Sequence, residues 1–397
     1  MFDGHDLTDP RFWTRGDTHR IVARMRDEAP VHRHEGTTEG DIWGVFTHEH
    51  AVEVLGNAEV YGSEGGSLLG SGNPPAGAGR MMALTDPPRH RGIRNAAADR
   101  FSPRSLARFE PAIRKLVAEL IDLALGEEEF DFVGSIASVV PMVVLCDVMD
   151  IPAKDRSSIE RLCDEAFLSG APNRRREAHQ DLLAYLLELV IERRIDPGDD
   201  LVSALASGEG RYALSIQDAV LNCDNIMVGG VQTVRHTASA IMHLLLHAPG
   251  LWNRLRSPDL RFNPAVDELL RVTSVGVHVL RTVRKPAELG GRHLSTGDRV
   301  VVWIPSANRD PEVFQDPDRA DLTRTPNRHL ALGRGPHFCV GAALARLELR
   351  LLLEELVGRV GAIESTGPAT PALSIINLGL NRLPMRFHTN TGEGVDA

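Results

Sequence analysis

The sequence predicts one large, mainly α-helical domain with small β-sheets. Apolar residues recur at helical spacing through the middle of the chain, β-branched runs are few, and no linker divides it. The 397 residues can bury a sizeable core. Hydrophobic residues at 42% and charged residues at 25% are ordinary globular proportions, which excludes disordered and collagen-like classes.

The helices are read in order from their periodicity and their stops. Ile113 to Leu125 is helical and ends at Gly126; Leu182 to Ile195 ends at Asp196-Pro197-Gly198. The longest runs from Ser215 to Ala248, with Ser215 as cap, Asp218 three residues on and Pro249 as stop. At 1.5 Å per residue it would be about 50 Å long and cross the whole domain. Pro264 opens a short helix through Arg271. Strands are expected at Ile42 to Phe46 and, after the turn Ser295-Thr296-Gly297-Asp298, at Arg299 to Ile304. The Gly-rich stretch from Tyr61 to Gly79 reads as a long loop, and a loop of that length suggests a pocket cover.

Acidic residues outnumber basic ones 54 to 44, for a net charge of −10, which argues against a nucleic-acid partner. Lys115, Lys154 and Lys285 are the only lysines; the arginine bias is read as genomic base composition. No apolar run has the length of a membrane span, and the polar start lacks the pattern of a secretory signal, so a cytoplasmic protein is expected. Cys146, Cys163, Cys223 and Cys339 form no C-x-x-C pair, which disfavours structural zinc. Cys146 and Cys223 lie among apolar residues as small core side chains.

Cys339 has a different setting. Leu332-Gly333-Arg334-Gly335-Pro336-His337-Phe338-Cys339-Val340-Gly341 reads as a rigid loop running into a helix near Gly341. Backbone N–H groups at a helix N-terminus favour a thiolate. A thiolate on a rigid loop is what an axial iron ligand requires, although a buried structural cysteine is the commoner use of such a residue.

This loop resembles the haem-binding loop F-G-x-G-x-H-x-C-x-G of the cytochrome P450 family. It matches at Gly333, Gly335, His337, Cys339 and Gly341 and departs at Leu332, where the family has phenylalanine. Glu268-Leu269-Leu270-Arg271 matches the family's E-x-x-R, 71 residues before the cysteine. Residues three apart on a helix share a face and can pair; the resemblance implies Arg319 as the third partner. His90 and Arg94, after Asp86-Pro87-Pro88, share a helical face, and with Arg281 and His337 match the family's haem-propionate ligands. The likeness runs from Asp6 to Phe387 and implies the cytochrome P450 fold over residues 1–397, a haem b (iron protoporphyrin IX) cofactor with Cys339 on the iron, and no membrane anchor.

On the oxygen side the long helix carries Gly229-Gly230-Val231-Gln232-Thr233, where the family reads A/G-G-x-D/E-T. Gly229 and Gly230 would let a bound ligand approach the backbone, at about 1 kcal/mol each against alanine. Thr233 can bond back to the Gly229 carbonyl and open the helix locally; by resemblance it organises a proton donor. Gln232 stands where the family has an acid, and an amide cannot ionise. The resemblance implies a monooxygenase using dioxygen and two electrons. With no flavin or iron–sulfur cysteine pattern in the chain, a ferredoxin and ferredoxin reductase should supply them.

The substrate would be a small organic molecule of secondary metabolism. Alternatives are a haem peroxygenase, an oxidative coupling or cyclisation enzyme, and a non-catalytic relative, which the presence of Cys339 disfavours. Pocket candidates are Leu68, Leu69, Met81, Met82, Val228, Val277, Val279 and Leu378. Arg91, Arg100, Arg104, Arg334, Arg346 and Arg350 are candidates for docking the electron donor, and Arg174-Arg175-Arg176 falls where the family has an entrance loop. His32, His34, His48 and His50, if on strands, would pair on one face each; a metal site there is the lesser reading beside a structural one.

Overall fold

The computed structural model describes residues 4–70, 75–168, 171–207 and 213–390. Its principal helices are α1 (Thr18–Glu28), α2 (His48–Gly56), α3 (Arg89–Ala98), α4 (Glu110–Leu125), α5 (Val139–Val148), α6 (Arg156–Leu168), α7 (Pro172–Ile195), α8 (Ile216–His247), α9 (Phe262–Thr273) and α10 (Ala342–Arg359). The main sheet has five strands, β1 (Val31–Thr37), β2 (Gly40–Val45), β3 (Tyr61–Gly62), β4 (His278–Val283) and β5 (Arg299–Trp303), in the order β1-β2-β5-β4-β3. All neighbours are antiparallel except β2 and β5, which run parallel with Trp43 opposite Val300. The architecture is the expected one: a helical body with small sheets.

The axis of the body is α8. Ser215 caps it by accepting the Asp218 N–H (3.0 Å), and it runs unbroken to His247, about 48 Å at 1.5 Å per residue. Its apolar faces pack against α5, α7, α9 and α10. The largest hydrophobic cluster fills the space between them, with Val117, Ile121, Leu182, Leu186, Leu269 and Leu351 all buried. A second cluster lies under the sheet, and a third joins Phe12, Trp13 and Met25 of the N-terminal segment to Trp303.

Some boundaries differ from expectation. α7 begins ten residues earlier than Leu182, at Pro172, because its first turns are polar and lack apolar periodicity. Arg174, Arg175 and Arg176 are therefore exposed residues of a helix, with Arg174 paired to Glu165 (2.9 Å). His32 and His34 are on β1, but His48 and His50 open α2, so no four-histidine face forms. Among the described residues no cluster of metal-ligating side chains is found.

Glu268 and Arg271 of α9 are wholly buried and bonded twice, at 2.8 Å each. Arg271 also donates to the carbonyls of Asn308 (2.8 Å), Pro317 (2.7 Å) and Arg319 (3.2 Å). Glu268 accepts from the Asp321 N–H (2.8 Å), Asn327 Nδ2 (2.9 Å) and Arg324 Nε (3.1 Å). The third charged partner is thus Arg324 and not Arg319, whose side chain is exposed and which contributes only its carbonyl. Burial pushes the Glu268 carboxyl up, but these donors outweigh it and hold it below the ordinary range. Glu268→Ala leaves Arg271 buried without its carboxylate and should destabilise the fold by about 3–5 kcal/mol. Arg324→Ala removes one donor of several and should cost less. Denaturant midpoints of the two variants check this, and equal losses would contradict it.

Candidate active site

The segment before α10 is built around backbone bonds. Gly333 N–H donates to the Leu330 carbonyl (2.9 Å), Phe338 N–H to Gly335 (3.1 Å) and Cys339 N–H to Leu332 (2.8 Å). Gly333 and Gly335 have φ of +72° and +70°, the left-handed region that glycine alone adopts freely. A Cβ on Gly335 would also stand 2.5 Å from the Leu55 carbonyl oxygen of α2. The loop is locked both by its own turns and by α2 behind it. It holds Cys339 just before the first turn of α10.

Cys339 lies on one wall of a cavity of about 410 Å³, and Gly229, Gly230 and Thr233 of α8 lie on another. His90 and Arg94 of α3, Arg281 of β4 and His337 complete its polar rim. Thr233 Oγ1 donates to the Gly229 carbonyl (2.5 Å), as its position allows, yet α8 stays continuous. A Cβ on Gly229 would meet nothing within 4 Å, so at this point the helix surface is open to the cavity.

The rim is electrostatically unbalanced. Arg281 is fully buried and gives Nη1 to the Leu280 carbonyl (2.8 Å); burial pushes its pKa down to about 10. His90 is buried, both its ring nitrogens lack a hydrogen-bond partner, and burial with Arg94 beside it takes its pKa down to about 4. His337 contacts the His90 ring at 4.1 Å and Ser63 Oγ at 3.1 Å. Burial together with Arg281, His90 and Arg94 takes its pKa to about 2. Asp86, itself engaged by the Ser63 N–H (2.8 Å), is the carboxylate acting on this group. Burial also pushes the Cys339 thiol up, against the Gly341 N–H, Arg94 and Arg346, which favour the thiolate.

Several expected positions fall elsewhere. Gln232 is buried off the cavity, its Nε2 without a partner. Of the pocket candidates Leu68, Met82 and Val279 line the cavity. Leu69 and Val277 are instead buried in the N-terminal cluster, with Leu378 packed against it, and Met81 and Val228 do not face the cavity. Sequence reasoning missed Leu145 and Ile226, which bring α5 and α8 to the pocket wall, and Asn225, its half-buried amide. Nothing in the spacing distinguishes these from core residues.

Comparison with known proteins shows what holds this geometry in common. The family model for cytochrome P450 matches residues 262–360. Cytochrome P450 126 of Mycobacterium tuberculosis is 34% identical over 96% of both chains, and cytochrome P450 NovI of Streptomyces niveus is 32% identical over 96% of both. The chain belongs to the cytochrome P450 family. Among solved structures, P450 OxyD, described as involved in the biosynthesis of vancomycin-type antibiotics, superposes with a TM-score of 0.90 at 33% identity, over 97% of this chain and 100% of that one.

The protein is therefore a monooxygenase whose cofactor is haem b. The rim fits that cofactor: two propionate carboxylates would supply the acceptors that the His90 ring lacks and the negative charge that half-buried Arg94 and buried Arg281 call for. No described helix of this P450 is long and apolar enough to cross a membrane. Gly335→Ala forces a side chain into a positive φ and against Leu55. Haem content per purified chain should fall at least several-fold, measured by absorbance, whereas Gly358→Ala, in the open part of α10, should leave it unchanged.

Proposed function

We propose that this P450 inserts oxygen into a small, largely apolar secondary metabolite, using electrons delivered by a ferredoxin and its ferredoxin reductase in the bacterial cytoplasm. The observation that carries this is the cavity itself, with Cys339 on one wall, Thr233 on another and an apolar chamber of Leu68, Met82, Leu145, Ile226 and Val279 beside them. The antibiotic-pathway role stated for the similar OxyD supports a secondary metabolite. Asn225 is the amide that would orient one polar group of such a substrate.

When bound, iron protoporphyrin IX supplies the redox centre at which dioxygen is reduced. Cys339 would hold its iron as a thiolate, since the loop fixes the sulfur and the Gly341 N–H and two arginines favour its anion. His90, Arg94, Arg281 and His337 are assigned to the propionates. Gly229 leaves the α8 surface free of a side chain at the cavity, and Gly230 makes room for Leu145, whose Cδ2 would stand 3.3 Å from a Cβ there. Thr233, back-bonded to Gly229, keeps a hydroxyl there that holds a proton or a water. The apolar walls exclude bulk water and orient the substrate toward that hydroxyl. Cys339→Ser should abolish the red-shifted absorption band of the reduced carbon monoxide complex. Unchanged spectra in that variant would overturn the assignment.

The electron donor is assigned to the face beside Cys339. Arg346 is bound to Asp267 (2.7 Å), Arg350 to Glu110 (3.0 Å) and Glu354 (2.9 Å), and Arg100 to Asp199. Among the described residues Arg91, Arg104 and Arg334 are exposed without an ion-pair partner. Free charges steer an acidic partner, and salt screens them. Replacing Arg91 and Arg104 by alanine should slow reduction by ferredoxin about tenfold at low salt. The difference should shrink at high salt, and haem content should not change. Stopped-flow reduction at two ionic strengths measures this, and equal rates at low salt would exclude the face.

A further inference from the structure

The segment Gly79–Thr85, which carries the wall residues Met82 and Ala83, is bonded across itself. Gly79 N–H donates to the Leu84 carbonyl (2.7 Å), and Leu84 N–H (2.9 Å) and Thr85 Oγ1 (2.7 Å) both donate to the Met81 carbonyl. A loop closed in this way shifts as a unit, so its place depends on what grips it from outside. One turn of α8 supplies that grip. Asp218 is buried, and its carboxylate accepts from Arg80 Nε (2.6 Å) through Oδ1 and from Arg89 Nη2 (2.9 Å) through Oδ2. Arg80 belongs to the loop and Arg89 opens α3 just beyond it, so one carboxylate brackets the segment from both ends. One turn on, the wholly buried Asn222 accepts the Met82 N–H (2.7 Å) and donates to the carbonyls of Arg80 (3.0 Å) and Asp218 (2.7 Å). Charge-assisted bonds to a buried acceptor are strong and little screened by salt. Arg80, Arg89, Asp218 and Asn222 all lie off the cavity, whereas Met82 and Ala83 line it. The polar grip and the wall it places are therefore separate groups.

We infer that Asp218 is a specificity-determining positioning residue. Acting through Arg80 and Arg89, and without touching the ligand, it presses Met82 into the cavity and limits the bulk of what is admitted beside Thr233. Without the carboxylate both guanidiniums lose their shared acceptor and the loop withdraws. Bulky ligands then gain room, and small ones lose a contact. The inference rests on the reading of this cavity as the substrate chamber.

The test uses the haem-loaded full chain and two azoles, imidazole and the much bulkier clotrimazole. An azole nitrogen that reaches the iron shifts the haem absorption band, so titration gives both dissociation constants without a known substrate. In Asp218→Asn the ratio of the clotrimazole constant to the imidazole constant should fall about tenfold, the scale of one lost charge-assisted hydrogen bond. The helix cap survives the change, because Ser215 is bonded to the Asp218 backbone N–H. Arg80→Ala and Arg89→Ala should lower the ratio in the same direction. Neither should add its full effect to Asp218→Asn, since the three side chains form one network. Asp218→Glu, which keeps the charge, should restore most of the selectivity. A packing role would give the opposite order, because asparagine preserves the shape and glutamate does not. A ratio unchanged in Asp218→Asn, equal changes for both azoles, or fully additive double variants overturn the inference. Should Asp218→Asn fail to load haem, Arg80→Ala carries the test, and an unchanged ratio there is equally decisive. Failure of the chamber reading would instead show in the unmutated protein, as azoles that leave the haem band in place.

Discussion

The rest of the structure depends on a cluster of basic side chains that the chain does not fully partner by itself. His90, Arg94, Arg281 and His337 are drawn together by a helix, a strand and a loop from distant parts of the chain, in surroundings that disfavour their charge. Asp86 answers part of that charge. Removing a charge from water without a partner costs several kcal/mol. A dianionic ligand at this rim would complete the arrangement, and its binding free energy would then belong to the folded state. Cofactor affinity and the stability of this end of the molecule would then be linked. The buried Glu268–Arg271 pair works in the opposite way. Its donors and acceptors are all supplied within the chain, so it fixes the segment leading to the cysteine loop before any ligand arrives.

The sequence was informative where a residue type has few physical uses. Two glycines ahead of a lone cysteine, an acid and an arginine three apart, and a glycine pair in mid-helix each narrow the choices; the structure pairs Glu268 with Arg271 and brings Cys339, Gly229 and Thr233 to one cavity. Elements with strong caps were equally legible. Ser215 and Pro249 bracket α8 to within a residue. α7 was misjudged at its start because a solvated first turn carries no apolar signal.

Residues interchangeable in chemistry were not legible. Arg319 and Arg324 are both arginines in one irregular segment, and only the path of the backbone decides which guanidinium reaches Glu268. Leu68 and Leu69 are neighbours in one irregular segment, and only the bend and turn of the backbone there decide that one lines the cavity and the other joins the N-terminal core. Glu348 is one of several charged residues of α10, yet it is buried. Its burial depends on what α8 and α9 place around it, and that is tertiary information.

The cavity wall at Met82 and Ala83 is tied to the helix that carries Gly229 and Thr233. Arg80 and Arg89 both grip Asp218 of α8, at 2.6 and 2.9 Å. Asn222, one turn on, accepts from the Met82 N–H (2.7 Å) and donates to the Arg80 carbonyl (3.0 Å). Met82 and Ala83 form part of the cavity wall. The segment carrying them is therefore held through its backbone, by polar groups of the same helix that presents Gly229 and Thr233 two to three turns further on. Backbone anchoring leaves the wall side chains free of hydrogen-bonding duty. Their size and shape can change with little loss of anchoring, while the distance from wall to oxygen side stays fixed by a rigid helix. Wall side chains can therefore be exchanged without moving the backbone that carries them, because the anchoring groups and the wall side chains are different atoms of the same segment.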